Sequence, residues 1–233
     1  MDFGIALATS TESWKVVREA EQLGFSHAWF YDTQLLNPDV FVGMTLAAVH
    51  TSRIRLGTGV LIPSNRIEPV TANALASLNR LAPGRIDFGV GTGFTGRRTM
   101  DQRAITLDRM RDYVQRVQAL LAGQRTTWPP GDARAEIAFL NPELGLINLD
   151  DPIDLHISAM GPKSRRLTAE LGAGWLNFAG QDAVAIRTLQ DMRGAWVEAG
   201  RAPQDLYSTL FFLGALLKPG EGFDCPRVAE QAG

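Results

Sequence analysis

Two apolar, strand-like runs that end in glycines bound residues 53–93, and they constrain the fold more than any other feature. The first reads RIRLGTGVLIP and carries Gly57 and Gly59, while the second, GRIDFGVGTGF, has glycine at every second position near its end. A helix-like stretch at 70–81 separates them, so the unit reads strand, helix, strand. The carboxyl ends of parallel strands lie side by side in such units, and ligands bind there. Glycine weakens a strand interior, so glycines at the ends of these two strands need a reason. They predict either a flat ligand against bare main chain or tight strand-to-helix turns.

Short apolar runs and amphipathic, helix-like stretches alternate along most of the chain. Strands are predicted at 3–8, 27–31, 53–62, 86–91, 155–159, 175–179 and 207–217, and helices at 12–23, 38–50, 70–81, 102–122, 162–171 and around 186–196, with a helix start near 225. This alternation predicts an α/β fold with a parallel sheet and helical crossovers. Seven strands favour a closed (β/α)8 TIM barrel, since a closed barrel exposes no edge strand. The count is one unit short, so we expect this chain to lack the last β/α unit.

Residues 123–152 break this alternation. They contain the sequences WPPG and DDP and show no sustained period. A stretch of this length without secondary structure is uncommon inside a compact domain, so we interpret it as an insertion near the site or a flexible excursion. Apart from this stretch, we predict a single domain over residues 1–233.

Composition and charge argue against several classes of function. The 233 residues are 45% hydrophobic with a net charge of −2 and no basic run, which argues against nucleic-acid binding. One cysteine and three widely separated histidines provide no metal-ligand spacing. No apolar run approaches the ~20 residues that span a bilayer, and the amino terminus lacks the basic region of a signal peptide. We therefore expect a soluble, cytoplasmic protein with no metal, nucleic-acid or membrane partner.

Four segments resemble, in order and spacing, the bacterial luciferase-like superfamily of flavin- and deazaflavin-dependent oxidoreductases. They are GFSHAWFYD (24–32), RIRLGTGVLIP (53–63), LNRLAPGRIDFGVGTG (78–93) and ISAMGPKSRRLTAELGAGW (157–175). The GTGV and GVGTG pieces are most similar to the methylenetetrahydromethanopterin reductase branch, which uses the deazaflavin coenzyme F-420. The resemblance implies a (β/α)8 barrel of the luciferase-like type, a homodimer and a small-molecule substrate. It also implies coenzyme F-420 as the cofactor, with FMN as the alternative.

The resemblance implies cofactor-binding roles at the ends of the second and third strands. Related barrels have a non-proline cis peptide at the position of Gly59-Val60, and it supports one face of the tricyclic ring. Without the resemblance, Gly59 simply turns the end of a strand. Asp32 closes the second strand, where the family has an aspartate near the cofactor. That residue type alone is equally typical of a cap on the next helix.

Further cofactor contacts are implied after the fourth and fifth strands. Thr92 and Gly93 align with a family pair that touches the deazaflavin. The turn after the fifth strand would receive the pyrimidine edge or the phosphate-bearing tail through backbone N–H groups and a helix N-terminus. That turn consists of Ala159, Met160, Gly161 and Pro162. Arg97, Arg98 and Lys163 stand just past these turns, where they either pair with phosphate or are simply solvated.

Two positions depart from the sugar-phosphate dehydrogenases of the superfamily. Those enzymes have a histidine after the second-strand aspartate and a glutamate after the fourth-strand glycine, whereas this chain has Thr33 and Phe94. Neither side chain serves readily as a general acid or base. We therefore identify no catalytic residue, and we expect an oxidoreductase that transfers hydride while its proton comes from solvent or from another segment.

Three other functions are consistent with these residues. An FMN-dependent monooxygenase would activate oxygen on the same fold. A non-catalytic flavin-binding relative would account for the missing acid/base pair. A barrel enzyme from a phosphate-binding family unrelated to flavins would have an ordinary trans peptide at Gly59-Val60.

Overall fold

The computed structural model describes residues 1–128 and 135–232. They form two compact units, one spanning residues 1–158 and one that begins at Ala159. The strands of the first unit are β1 (Gly4–Leu7), β2 (His27–Phe30), β3 (Arg55–Thr58), β4 (Ile86–Val90), β5 (Thr126–Thr127), β6 (Glu136–Ile137) and β7 (Asp154–Ser158). Its helices are α1 (Ser13–Gln22), α2 (Val40–His50), α3 (Glu68–Leu81), α4 (Phe94–Arg98) and α5 (Leu107–Leu121). The second unit contains α6 (Pro162–Leu171), β8 (Gly174–Phe178), α7 (Asp182–Glu198), β9 (Ser208–Phe211) and α8 (Pro226–Ala232).

Parallel pairing joins the strands of the first unit in the order β1, β2, β3, β4 and β7. The register places Trp29 beside Gly57, and Gly57 beside Asp87. In the second unit β8 and β9 pair in parallel, with Trp175 beside Ser208. Apart from the β5–β6 pair, successive strands within each unit are thus neighbours in space with helices between them, which is the β/α arrangement predicted from the sequence. The α/β class is confirmed.

Helix α5 shows why the periodic segments fold as predicted. Its buried residues Met110, Val114 and Val117 recur every three or four positions and therefore share one face. At its start, the hydroxyl of Thr106 accepts the backbone N–H of Arg109 at 3.3 Å and caps the helix. Among the described residues, no helix combines the length and the apolar character needed to cross a membrane.

A cluster of charged side chains lies near the amino ends of the central strands. Arg55 pairs with Asp87 at 2.5 Å and with Asp154 at 2.8 Å, and His156 Nε2 lies 3.4 Å from Asp87. Burial would raise the pKa of Asp87, but its interactions with His156 and Arg55 hold it below the ordinary aspartate value. The ring of Trp29 packs edge-on against His156, with 5.1 Å between centroids. In β/α barrels this end of the strands supports stability, while ligands bind at the other end.

Several boundaries differ from the predictions, three of them markedly. The third strand ends at Thr58 rather than at residue 62, although isolated bonds to the neighbouring strands continue through Leu61. The helix predicted at 102–122 begins at Leu107, and the short helix α4 precedes it. The last strand, predicted at 207–217, ends at Phe211. Phe212 and Leu213, which follow it, are both about half exposed. Apolar residues extend a strand only where a neighbouring strand is present to pair with them.

The irregular stretch at 123–152 contains the antiparallel β5–β6 pair, and its residues 129–134 lie outside the described part of the chain. Its end is fastened to α3 by the side chain of Asn79. The Asn79 amide donates to the carbonyls of Asn148 at 3.3 Å and of Asp151 at 2.8 Å. The described end of this stretch is therefore hydrogen-bonded to α3 within the first unit.

Candidate cofactor site

The main chain leaves β3 along residues 59–62, a segment called here the β3 ledge. Its Gly59-Val60 peptide bond is cis, as the resemblance implies. The N–H of Gly59 donates to the Phe30 carbonyl at 2.7 Å, and the N–H of Leu61 donates to the Gly89 carbonyl at 2.8 Å. The ledge is thus fastened to the neighbouring strands on both sides. Gly59 and Val60 nevertheless remain partly accessible.

Asp32 is buried just after β2, and its carboxylate holds the end of the ledge. One oxygen accepts the N–H of Ile62 at 3.1 Å, and both oxygens lie 3.2 Å from Arg66 Nη1. Burial by itself would lower the pKa of Arg66, but the neighbouring charges of Asp32 and Asp39 outweigh it. The pKa therefore lies above the ordinary arginine value. The residue that caps α2 is Asp39, which accepts the N–H of Phe41 at 2.9 Å. Asp32 therefore does not cap that helix, and its contact with a cofactor stays a prediction.

Protein side chains occupy much of the space that the glycines leave open. A Cβ on Gly57 would lie 2.5 Å from two ring carbons of Trp29, and one on Gly59 would lie 2.9 Å from the Trp29 Cβ. A Cβ on Gly93 would lie 2.6 Å from Ile62 Cγ2. These glycines are needed for packing between neighbouring β/α units whether or not a ligand binds. Accessible main chain for a flat ligand is therefore found at Gly59-Val60 and not along the whole glycine pattern.

Thr92 and Gly93 form the turn between β4 and α4 and pack beside the ledge. Gly93 adopts a left-handed conformation, with φ of +80°, and α4 begins directly after it. The carbonyl of Thr92 accepts the N–H of Ile105 at 3.0 Å, which closes the turn against the segment that precedes α5. The predicted pair thus lies next to the ledge, with Gly93 close to Ile62.

A cavity of about 420 Å³ opens beside this turn. It is lined by Phe94, Arg98, Asp101, Gln102, Arg103 and Ala104. The guanidinium of Arg98 lies 4.0 Å from the centre of the Phe94 ring. In contrast, Arg97 Nε donates to the carbonyl of Arg103 at 2.5 Å. Arg98 is therefore the better placed of the two predicted arginines to meet an anion in the cavity.

The remaining predicted contacts lie at the start of the second unit. Ala159 is buried, and its carbonyl accepts the Trp175 Nε1–H at 2.9 Å. The exposed Met160 has its carbonyl bonded to Arg165 at 3.0 Å. The N–H of Gly161 donates to the Ser164 hydroxyl at 3.2 Å, so this donor already has a protein partner. Pro162 begins α6 and has no N–H. The predicted role of this turn in binding the cofactor stays a prediction, and the N–H of Gly161 and the proline at 162 contribute no free donor to it.

Sequence reasoning missed the polar residues that connect the loops. Gln34 and Asn65 bond to each other at 2.8 Å, and Arg66 fixes Asp32. The only signal was their position within a few residues of a predicted strand end. Thr33 and Phe94 provide no acid or base in the structure either, and the Phe94 ring is 62% exposed.

Comparisons with known proteins agree with the fold and identify the family. A family model described as luciferase-like monooxygenase matches residues 7–216. The chain is 30% identical over 213 residues to a 5,10-methylenetetrahydromethanopterin reductase of Methanolobus tindarius, covering 88% of this chain and 63% of that protein. It is 31% identical to an F-420-dependent hydroxymycolic acid dehydrogenase of Mycobacterium tuberculosis, covering 87% of this chain and 60% of that protein. The chain thus spans about 60% of the length of these relatives.

A solved structure shows the same fold. The monooxygenase RslO1 from Streptomyces bottropensis superposes with a TM-score of 0.77 at 25% identity, covering 94% of this chain and 73% of that protein. The fold is that of the luciferase-like (β/α) barrels, as predicted. Family model, sequence relatives and structural neighbour all agree, and the chain belongs to the luciferase-like monooxygenase family.

Proposed function

We propose that this protein is an F-420-dependent oxidoreductase that transfers hydride between the reduced deazaflavin and a small organic molecule. The observation that carries the proposal is the β3 ledge, whose partly accessible Gly59-Val60 main chain is held from both sides. This ledge belongs to a chain that is 31% identical to an enzyme named as F-420-dependent, which supports the choice of cofactor. Accessible main chain on a rigid support fits a flat ring better than it fits a flexible or highly charged ligand.

The residues of the chain would position the cofactor, which supplies the hydride when it is bound. Gly59 and Val60 would support one face of the ring, and Thr92 with Gly93 would flank it. Asp32 would keep the ledge in place through Ile62. The turn at 159–162 belongs to the second unit, and its contact with a cofactor is a separate prediction. The proton would come from solvent or from another segment.

Two alternatives have specific support. An FMN-dependent monooxygenase is favoured by the likeness to the monooxygenase RslO1, at 25% identity. A non-catalytic flavin-binding protein is favoured by Thr33 and Phe94, which occupy the positions of the acid/base pair of the sugar-phosphate dehydrogenases. Both alternatives use the same ledge, so the identity of the bound molecule and its turnover separate the three.

Titration of the purified protein with coenzyme F-420 and with FMN separates the cofactors. We expect F-420 fluorescence to be quenched to saturation, with no response of FMN over the same range. Saturable FMN binding without F-420 binding would replace the proposal with the monooxygenase. Binding of F-420 without reoxidation of its reduced form by any unsaturated or carbonyl compound tested would favour the non-catalytic protein.

An arginine variant tests the cavity beside α4. Arg98→Ala should weaken F-420 binding roughly tenfold, since a charge-assisted hydrogen bond contributes about 1.5–3 kcal/mol. The matched control is Arg193→Ala, which removes an exposed arginine of α7 and should leave F-420 affinity unchanged. Equal affinities of wild type and both variants would remove Arg98 from the site.

We also propose that the protein forms a homodimer through α2. This helix has the sequence VFVGMTLAAVH, with no acidic residue, lysine or arginine. Val42 and Val49 are 49% and 57% exposed on its outer side, although a helix that is apolar all round is normally covered. An uncharged face pairs with its own copy without burying like charges, so a second copy of this chain is the occupant that we propose.

A further inference from the structure

The side chain of Gln34 connects three loops of the first unit. Gln34 follows β2, and its Nε2 donates to the carbonyl of Gly96 in α4 at 2.6 Å. Its Oε1 accepts from Asn65 Nδ2, in the turn after β3, at 2.8 Å. One amide thus joins residues that stand 62 and 31 positions away along the chain. Both ends of the amide are used, the NH2 group as a donor and the oxygen as an acceptor.

The turn that contains Gln34 is closed by backbone bonds and includes a left-handed residue. The next residue, Leu35, has a φ of +66°, a left-handed conformation that leucine rarely adopts. Leu35 is 82% exposed, so its side chain gains no core packing from this conformation. The N–H groups of Leu36 and Asn37 both donate to the carbonyl of Thr33, at 3.2 and 2.8 Å, and close the turn. Backbone strain of this kind persists where the surroundings over-determine it and clusters at functional sites.

The partners of Gln34 also contact the β3 ledge. A Cβ on Gly96 would lie 2.4 Å from Ile62 Cδ1 and 3.0 Å from Gln34 Oε1. The Thr99 hydroxyl donates to the carbonyl of Gly96 at 2.7 Å. The loops after β3 and β4 therefore meet at the ledge. The Gln34 amide connects them through Asn65 and Gly96, in addition to the bond from the Gly91 N–H to the Leu61 carbonyl at 3.1 Å.

We propose that Gln34 is a positioning residue that fixes the loops after β3 and β4 relative to each other. It does so by bonding to Asn65 in one loop and to Gly96 in the other. The ledge and the Thr92-Gly93 turn then keep a constant separation. The consequence for F-420 binding rests on the proposed function, whereas the coupling of the two loops does not.

Hydrogen exchange of the full chain tests the coupling directly. In Gln34→Ala, backbone amides of residues 61–66 and 94–99 should both exchange roughly tenfold faster, as expected for the loss of a hydrogen bond in each loop. Amides of α5 should keep their wild-type rates. The matched control is Ser64→Ala, which removes an exposed hydroxyl from the same turn and should change neither segment. Unchanged exchange in Gln34→Ala, or a uniform increase throughout residues 1–128, would overturn the proposal.

A second variant separates the two bonds. Asn65→Ala removes the bond between Asn65 and Gln34 but leaves that from Gln34 to Gly96, so only the amides of 61–66 should exchange faster. In the double variant with Gln34→Ala, the increase in 61–66 should be smaller than the product of the two single increases. Multiplicative single effects would show that the two side chains act independently.

Cofactor kinetics provide a readout that a purely structural role would not change. If the wild type binds F-420, Gln34→Ala should release it roughly fivefold to tenfold faster. The midpoint of its unfolding transition should be the same as that of the Ser64→Ala control. An unchanged release rate would confine Gln34 to loop coupling and overturn its role in positioning the cofactor. If the wild type binds neither F-420 nor FMN, the proposed function fails, and hydrogen exchange still decides the coupling.

Discussion

The carboxylate of Glu21 organises a loop that carries no regular structure. Glu21 Oε1 accepts three consecutive backbone N–H groups, from Ser52 at 2.9 Å, Arg53 at 2.6 Å and Ile54 at 2.9 Å. This arrangement fixes the entry into β3. Burial would raise the pKa of Glu21, but the bonds from Ile54, Arg53 and Ser52 more than offset it and leave the pKa below the ordinary glutamate value.

The lowered pKa predicts a stability difference that depends on pH. Since the folded-state pKa lies below the unfolded value of about 4.3, the contribution of the carboxylate is complete above that value and is lost as the pH falls through the folded-state pKa. Glu21→Gln should therefore lower the free energy of unfolding at pH 7 by about 1–2 kcal/mol. The difference from wild type should shrink below about pH 4.

Urea unfolding at pH 7, 5 and 3.5 checks this expectation. Glu19→Gln, at an exposed position of the same helix, is the matched control and should show no such trend. A Glu21→Gln difference that stays constant over this range would mean that the charge of Glu21 contributes nothing.

At the scale of elements, β2 and β3 fit together because a large side chain on β2 lies beside a glycine, which has no side chain, on β3. Trp29 is only 2% exposed and stands in register with Gly57. A methyl group on Gly57 would lie 2.5 Å from the indole ring, so the ring or the strand would have to move. Trp29 cannot move freely, since it also packs against His156.

Gly57→Ala should consequently lower the free energy of unfolding by about 1–3 kcal/mol through overpacking. Gly194→Ala is the opposite case, because no atom lies within 4 Å of a Cβ at that position of α7. It should raise the free energy of unfolding by up to about 1 kcal/mol through helix propensity. Chemical denaturation of both variants measures the contrast, and equal effects of the two substitutions would refute the packing argument.

At the scale of the whole molecule, the uncovered side of α2 bears on assembly. We expect analytical ultracentrifugation to give twice the chain mass of 25.4 kDa. Val49→Glu should shift the protein towards monomer, with roughly hundredfold weaker association, because an unpaired buried charge costs about 3 kcal/mol or more. Val197→Glu replaces a valine that is 53% exposed on α7 and should leave the mass unchanged. A wild-type protein that sediments as a monomer at all concentrations would contradict the dimer.

The periodicity of the sequence was sufficient to predict the β/α units and most of their order. Residues such as Met110, Val114 and Val117 mark one helix face wherever the helix packs, so local spacing contains that information. The segments around Gly59 and Gly93 identified the family and the cis peptide. The end of the last strand could not be predicted, because a strand such as Ser208–Phe211 ends where its hydrogen-bonded neighbour ends.

The sequence by itself therefore determined the fold class and the family, and it predicted a region for the candidate site. Only the tertiary structure showed that Gly57 makes room for Trp29, and that Gln34 bonds to Asn65 and Gly96. The physical reason is the range of the interactions. Periodicity and propensity act over a few residues, whereas a side-chain amide or a missing Cβ acquires its meaning from residues brought close by the fold.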